Sequence, residues 1–201
     1  MGKVKYSIDT ILINPPLVKH YTSLDKELID FISEFNAKPN PFLRIKKLFG
    51  EKVFKPKVNE LWELKWIELI ELKFDLEGQD LKAAIQKLYT ISEKELLQVE
   101  VLNFKSCIAW ITNQLEEITE TESENLSYTP SNDELDAGVD ELQKYDYYVT
   151  LDSLTEGDST KEDYYLNKPY SYIFRKLCLI NDKRLINEKM QEIVSRKART
   201  N

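Results

Sequence analysis

The chain has 201 residues, 42% of them apolar and 31% charged, with 5 Gly and 7 Pro, a composition that suits one compact domain or two small ones built mainly of helices. Its formal charge of -7 conceals a division, because residues 1–57 carry +5, residues 58–157 carry -16 and residues 158–201 carry +4. The absence of an apolar run long enough to span a bilayer, and of a signal-like block in residues 1–20, points to an intracellular protein, and a single histidine, His20, with two distant cysteines, Cys107 and Cys178, excludes most metal and nucleophilic constellations.

In chain order, residues 1–20 read as an extended, β-prone arm, with Tyr6, Ile8, Ile11, Leu12 and Ile13 stopped by Asn14-Pro15-Pro16. Thr22 or Ser23 then caps a helix whose apolar residues, Leu24, Leu28, Ile29, Ile32 and Phe35, recur at helical spacing until Pro39 and Pro41. Phe42–Phe49 is predicted to be a short basic amphipathic helix ended by Gly50, and Lys52, Lys55 and Lys57 carry positive charge into a linker containing Pro56. Between Leu61 and Leu76 the pattern is mixed, but the abundance of Leu, Glu and Lys favours a helix from about Lys65 to Glu77 after a short extended piece. Gly78-Gln79-Asp80 turns the chain, and Asp80 is placed to cap a helix through Leu81, Ala84, Ile85 and Leu88.

Ser92-x-x-Glu95 has the form of a capping box. Beyond it Leu97, Val101, Phe104, Ile108, Ile111, Leu115 and Ile118 alternate spacings of four and three, which predicts one long helix to about Glu120, serving either as a core helix or as an oligomerising one. The acidic, Ser-, Thr- and Asn-rich stretch that follows, with residues 126–138 at its centre, reads as a solvated loop. A helix resumes near Val139 and carries Leu142, Tyr145, Val149 and Leu151 toward Leu154; Asp158 or Ser159 caps a short helix through Tyr164, Tyr165 and Leu166. Pro169 opens a segment with Ile173, Phe174, Leu177 and Cys178 on one face. After Asn181-Asp182 a final amphipathic helix carries Leu185, Ile186, Met190, Ile193 and Val194, and its basic close, Arg196 to Arg199, complements the helix dipole. The expected fold is mainly α, an irregular multi-helix bundle with an extended N-terminal arm. Its divisions are a basic region 1–57, an acidic helical core 58–125, an acidic loop 126–138 and a Tyr-rich helical region 139–201, with 58–201 forming one domain.

Phosphate-cradling loops need clustered glycines, which five scattered ones do not provide. The acidic stretch around Gly138 lacks the register of a calcium loop, so no catalytic residue, metal or cofactor is expected and the chain is not read as an enzyme. Two contact surfaces stand out instead. Arg44, Lys46, Lys47, Lys52, Lys55 and Lys57 form a basic patch interleaved with Phe42, Phe49 and Phe54, suited to phosphates or to an acidic protein surface. Tyr145, Tyr147, Tyr148, Tyr164, Tyr165, Tyr170 and Tyr172, with Phe174, crowd into one short stretch; one helical face cannot bury them all, which marks a protein interface.

The succession Leu151-Asp152-Ser153-Leu154, Gly157-Asp158, Lys161, Leu166, Pro169-Tyr170 and Ile173-Phe174-Arg175-Lys176-Leu177, with Trp66 through Gly78-Gln79-Asp80 to Tyr89 and Ser92-Glu93-Lys94-Glu95, resembles small helical tail-assembly chaperones and virion-associated proteins of tailed bacteriophages over about residues 60–195. The resemblance implies a non-enzymatic role in assembly, with phage structural proteins or further copies of the chain as partners and no membrane. It places the chain in the bacterial host cytoplasm during assembly, or retained in the virion. The alternative is a nucleic-acid-binding or regulatory module using the basic segment 44–57.

Overall fold

The computed structural model describes residues 16–23 and 36–200, with Lys26, Ile32 and Glu34 between them; the β-prone arm before Pro16 and most of the helix expected from Leu24 to Phe35 lie outside the described residues. The described chain is mainly α-helical, with one two-stranded sheet. It separates into two compact units, one of Met1–Leu61 and Ile70–Glu116 as far as these are described, the other of Trp62–Leu69 and Glu117–Asn201. These limits coincide with none of the divisions drawn from composition, because a helix can leave one compact unit and enter the next with no change in its sequence character.

The first unit corrects the reading of Phe42–Phe49 as a helix. Strands β1 (Leu43–Lys47) and β2 (Gly50–Phe54) form an antiparallel hairpin in register from Leu43↔Phe54 to Lys47↔Gly50. Leu43 and Ile45 are buried while Arg44 and Lys46 face outward, a period-two pattern that a half-buried strand satisfies and a helix does not. Gly50, expected to end a helix, instead opens β2 with φ 119°, a conformation that side chains oppose. Leu61–Glu63 form a 3-10 turn rather than an extended piece, and helix α1 (Trp66–Glu77) follows close to its expected bounds.

Helix α2 (Leu81–Leu88) is capped as expected, the Ala83 N–H donating to Asp80 Oδ1 at 3.0 Å, and it buries Ala84, Ile85 and Leu88. Lys87 on its outer face ties back to Asp75 at 2.9 Å and to Glu71 at 3.5 Å. The capping box of Ser92 and Glu95 is present, but the helix it starts, α3 (Glu93–Leu96), lasts one turn. Leu97, still in right-handed helical geometry, is the C-cap of α3, and helix α4 (Val101–Leu126) begins four residues later, so Leu97 is not part of the long helix. The interruption has a partner: Val99 is buried and its carbonyl accepts the Val18 N–H at 2.8 Å, beside a bridge between Leu17 and Glu100. Further along α4, Val101, Ile111 and Ile118 are buried while Phe104, Ile108 and Leu115 are half-buried. Half of the six seam residues on α4 are thus core, and the other half are partly exposed.

In the second unit the acidic stretch is only partly a loop. Helix α4 runs on to Leu126, and a second capping box, Ser131 with Glu134, starts helix α5 (Asn132–Asp136). The helix expected from Val139 is broken into a 3-10 segment, Val139–Tyr145, and helix α6 (Tyr147–Thr155), because Asp146 between them takes φ 50°. Asp158 caps a 3-10 turn, Ser159–Lys161, that leads into helix α7 (Glu162–Leu166). Helix α8 (Tyr170–Thr200) then runs unbroken for 31 residues. Asn181-Asp182 does not divide it, since either residue inside a helix costs under about 1 kcal/mol. Asn181 is moreover held, donating through Nδ2 to the Asn125 carbonyl at 3.0 Å.

Candidate interaction surfaces

The basic patch sits on and after the hairpin, and much of its charge is already satisfied. Arg44 lies 3.4 Å from Glu51, Lys46 lies 2.8 Å from Glu100, and Lys52 pairs with Glu95. Glu100 raises the Lys46 pKa by accepting its hydrogen bond, while Lys52, with Ser92, holds the Glu95 carboxyl down to about 2. The hairpin itself is anchored by Asn103, whose Oδ1 accepts the Arg44 N–H at 2.7 Å and whose Nδ2 donates to the Phe42 carbonyl at 3.0 Å. Lys47, Lys55 and Lys57 are exposed. Arg44, Lys46 and Lys52 of the six cations thus face carboxylates of the same chain. The hairpin tip carries an unforeseen feature, since Leu48 and Phe49 are 89% and 95% exposed.

Beneath the hairpin the first unit holds a buried polar pair. The Tyr89 hydroxyl donates to the Pro41 carbonyl at 2.8 Å, and burial raises its pKa far above the usual phenol range. Burial likewise pushes the neighbouring Cys107 thiol up to about 12, away from the thiolate form in which cysteine reacts. A cavity of about 470 Å³ opens nearby, lined by Val18, Tyr21, Ile32, Phe104 and Ile108. Lys105 borders it, its ammonium donating to the Ile32 carbonyl, and burial lowers its pKa. The lysine there ties two segments of backbone together.

The tyrosine-rich stretch divides by exposure. Tyr145, Tyr148 and Tyr164 are exposed, while Tyr147, Tyr165, Tyr172 and Phe174 are half-buried. Tyr170 is 5% exposed, which removes it from any interface and makes it core. Its ring stacks on Trp62 at 5.6 Å and 14°, Phe174 meets the same indole at 5.2 Å and 58°, and the Tyr170 hydroxyl donates to Glu122. The backbone fixes this contact, the Tyr170 N–H donating to the Leu64 carbonyl at 2.8 Å and the Trp66 N–H to Lys168 at 2.9 Å. Sequence reasoning had no signal for the partner, because Trp62 lies over a hundred residues earlier. Tyr147 stacks on Tyr148 at 4.8 Å and meets Trp66 edge-on at 6.4 Å. Tyr164 stands edge-on to Tyr165 with the Lys168 ammonium 4.2 Å over its ring. Tyr148 and Tyr164 therefore each stand against a half-buried ring, which holds their geometry at low entropic cost on binding, while Tyr145 has the Lys144 ammonium 5.1 Å over its ring.

More exposed apolar surface lies on α8. Ile186, Met190 and Val194 are 60%, 56% and 61% exposed, with Leu179 and Ile193 alongside. Among the described residues, no group of three or more His, Cys, Asp or Glu is arranged to hold a metal ion, and no helix is long and apolar enough to cross a membrane. Comparison with protein-family models, curated proteins and solved structures finds no match for this chain.

Proposed function

We propose that the chain is a non-enzymatic assembly protein acting through protein–protein contact, of the tail-assembly-chaperone or head–tail type that its sequence resembles, and that it works in the cytoplasm of an infected bacterium. The observation that carries this reading is the pairing of the exposed Tyr148 and Tyr164 with half-buried rings, Tyr147 and Tyr165. Tyr145, Tyr148 and Tyr164 offer apolar area with a polar edge, while the Trp62–Tyr170 stack and Trp66 with Tyr147 support the same unit. Aromatic side chains of restricted mobility are the residue type that dominates binding energy at protein interfaces. The mechanism is burial of an apolar partner segment against these rings, with the acidic surroundings setting its orientation.

The test is in-cell crosslinking during infection, followed by mass spectrometry of the captured species and of purified particles. A Tyr145→Ser/Tyr148→Ser/Tyr164→Ser variant with an unchanged far-UV spectrum and melting midpoint is expected to lose crosslinks to phage structural proteins at least tenfold. Unchanged crosslinking, or crosslinks to nucleic acid alone, overturns the reading.

A further inference from the structure

The cavity of about 470 Å³ in the first unit falls within the size range of small-molecule sites, about 300–1,000 Å³, and its wall follows from helix geometry. Val101, Phe104, Lys105 and Ile108 recur at i, i+3, i+4 and i+7 along α4, so they share one face. Val101 is buried, and Phe104 and Ile108 are half-buried. Val18 and Tyr21 from the 3-10 segment Val18–Ser23, with Ile32 and with Leu81 at the start of α2, complete an apolar lining.

Lys105 interrupts the apolar face of α4. Its ammonium donates to the Ile32 carbonyl, and burial lowers its pKa, because the charged form is poorly solvated there. An ammonium carries three N–H donors, and an anion beside it favours the charged form that burial opposes. The other charged groups on the described wall are Lys82 and Asp80. Lys82 is exposed and joins no ion pair among the described residues. The Asp80 carboxylate is engaged by its own helix, Oδ1 accepting the Ala83 N–H at 3.0 Å. An apolar wall with two ammonium groups to one carboxylate is the complement of an alkyl chain that ends in an anion. A cation would be repelled, and a neutral hydrocarbon gains nothing from the lysines.

We propose that this cavity binds a small amphiphile, an alkyl carboxylate of medium length, with its chain along the apolar face of residues 101–108 and its carboxylate accepting from Lys105. The site goes beyond the contact-based reading of function and uses none of its tyrosines.

Isothermal titration calorimetry of the full chain with octanoate and with the neutral octanol, joined to a map of backbone NMR shifts, tests this directly. Octanoate is expected to bind saturably and at least tenfold more tightly than octanol, with its largest shifts in residues 101–108 and in Val18–Ser23. Lys105→Met, which keeps the apolar stem, is expected to remove the tenfold preference and leave octanol binding unchanged. Ile108→Trp, which fills the cavity and keeps the lysine, is expected to weaken both ligands at least tenfold. The octanoate-to-octanol ratio and the shift map are read on the wild type, so they decide the matter whether or not either variant folds. No saturable octanoate binding, equal affinity for the two ligands, or shifts confined to the hairpin tip at Leu48 and Phe49 or to α8 overturns the proposal. None of these outcomes touches crosslinking through Tyr145, Tyr148 and Tyr164, so the two readings fail separately.

Discussion

Replacing Tyr170 tests whether the Trp62–Tyr170–Phe174 cluster is the organising contact of the second unit. The ring is 5% exposed, stacks on Trp62 at 5.6 Å and sits on a residue whose N–H is bonded to Leu64. Truncation to alanine removes a buried aromatic side chain, which costs about 3–5 kcal/mol in packed interiors, and part of that loss is the stack itself, about 0.5–1.5 kcal/mol. Tyr170→Phe keeps the ring and the stack and removes only the hydroxyl that donates to Glu122. Glu122 is half-buried, so water replaces much of that bond and the expected cost is about 1 kcal/mol. Equilibrium urea unfolding, followed by tryptophan fluorescence and far-UV circular dichroism, measures both. The expected order is wild type, then phenylalanine close below it, then alanine several kcal/mol lower. A loss under about 1 kcal/mol for Tyr170→Ala would refute the packing account; equal losses for the two variants would show that the hydroxyl, not the ring, carries the contact.

Two further outcomes follow from local electrostatics. Glu95 and Glu134 each close a capping box, and their carboxyl groups are held down to about 2, Glu95 by Lys52 first and Glu134 by the Tyr128 hydroxyl first. Because these folded-state values lie below the ordinary 4.5, the stabilisation is present above about pH 4.5 and is lost as pH falls toward 2. Side-chain NMR titration is expected to place both midpoints near 2, and Lys52→Met is expected to raise that of Glu95 while leaving Glu134 alone; an unmoved Glu95 midpoint would contradict the assignment. For the cysteines, a chromogenic thiol reagent at pH 8 is expected to label half-buried Cys178 first. Buried Cys107, with its thiol raised to about 12, should react only as fast as the first unit opens, and labelling of Cys107 ahead of Cys178 would overturn that reading.

How much of the molecule could be read beforehand depended on how far apart the deciding atoms are in the chain. Asp80 with the Ala83 N–H, and Ser92 with Glu95, meet across three residues, so the capping residues, the starts of α2 and α3 and the helix from Trp66 were legible. Periodicity marked most of the α4 seam for the same reason. Leu43–Lys47 was not legible, because Leu, Ile and three cations in five residues fit a helix or a strand, and the choice was made by Asn103 and Glu100 more than fifty residues later. Among the candidate surfaces, the crowding of tyrosines was visible, but which of them pack and which face water was not. Trp62 placed Tyr170 inside, Glu51, Glu95 and Glu100 absorbed half of the basic patch, and the unbroken α8 turned an ordinary amphipathic pattern into an uncovered stripe.

Composition and spacing alone therefore determined a mainly α chain, its caps and its alternation of charge, since these depend on side chains within about one helical turn of each other. The tertiary structure decided the hairpin, the division into two units and the exposure of each candidate surface. Burial and ion pairing depend on neighbours that loop closure brings together from distant parts of the chain, and the local sequence carries no record of them.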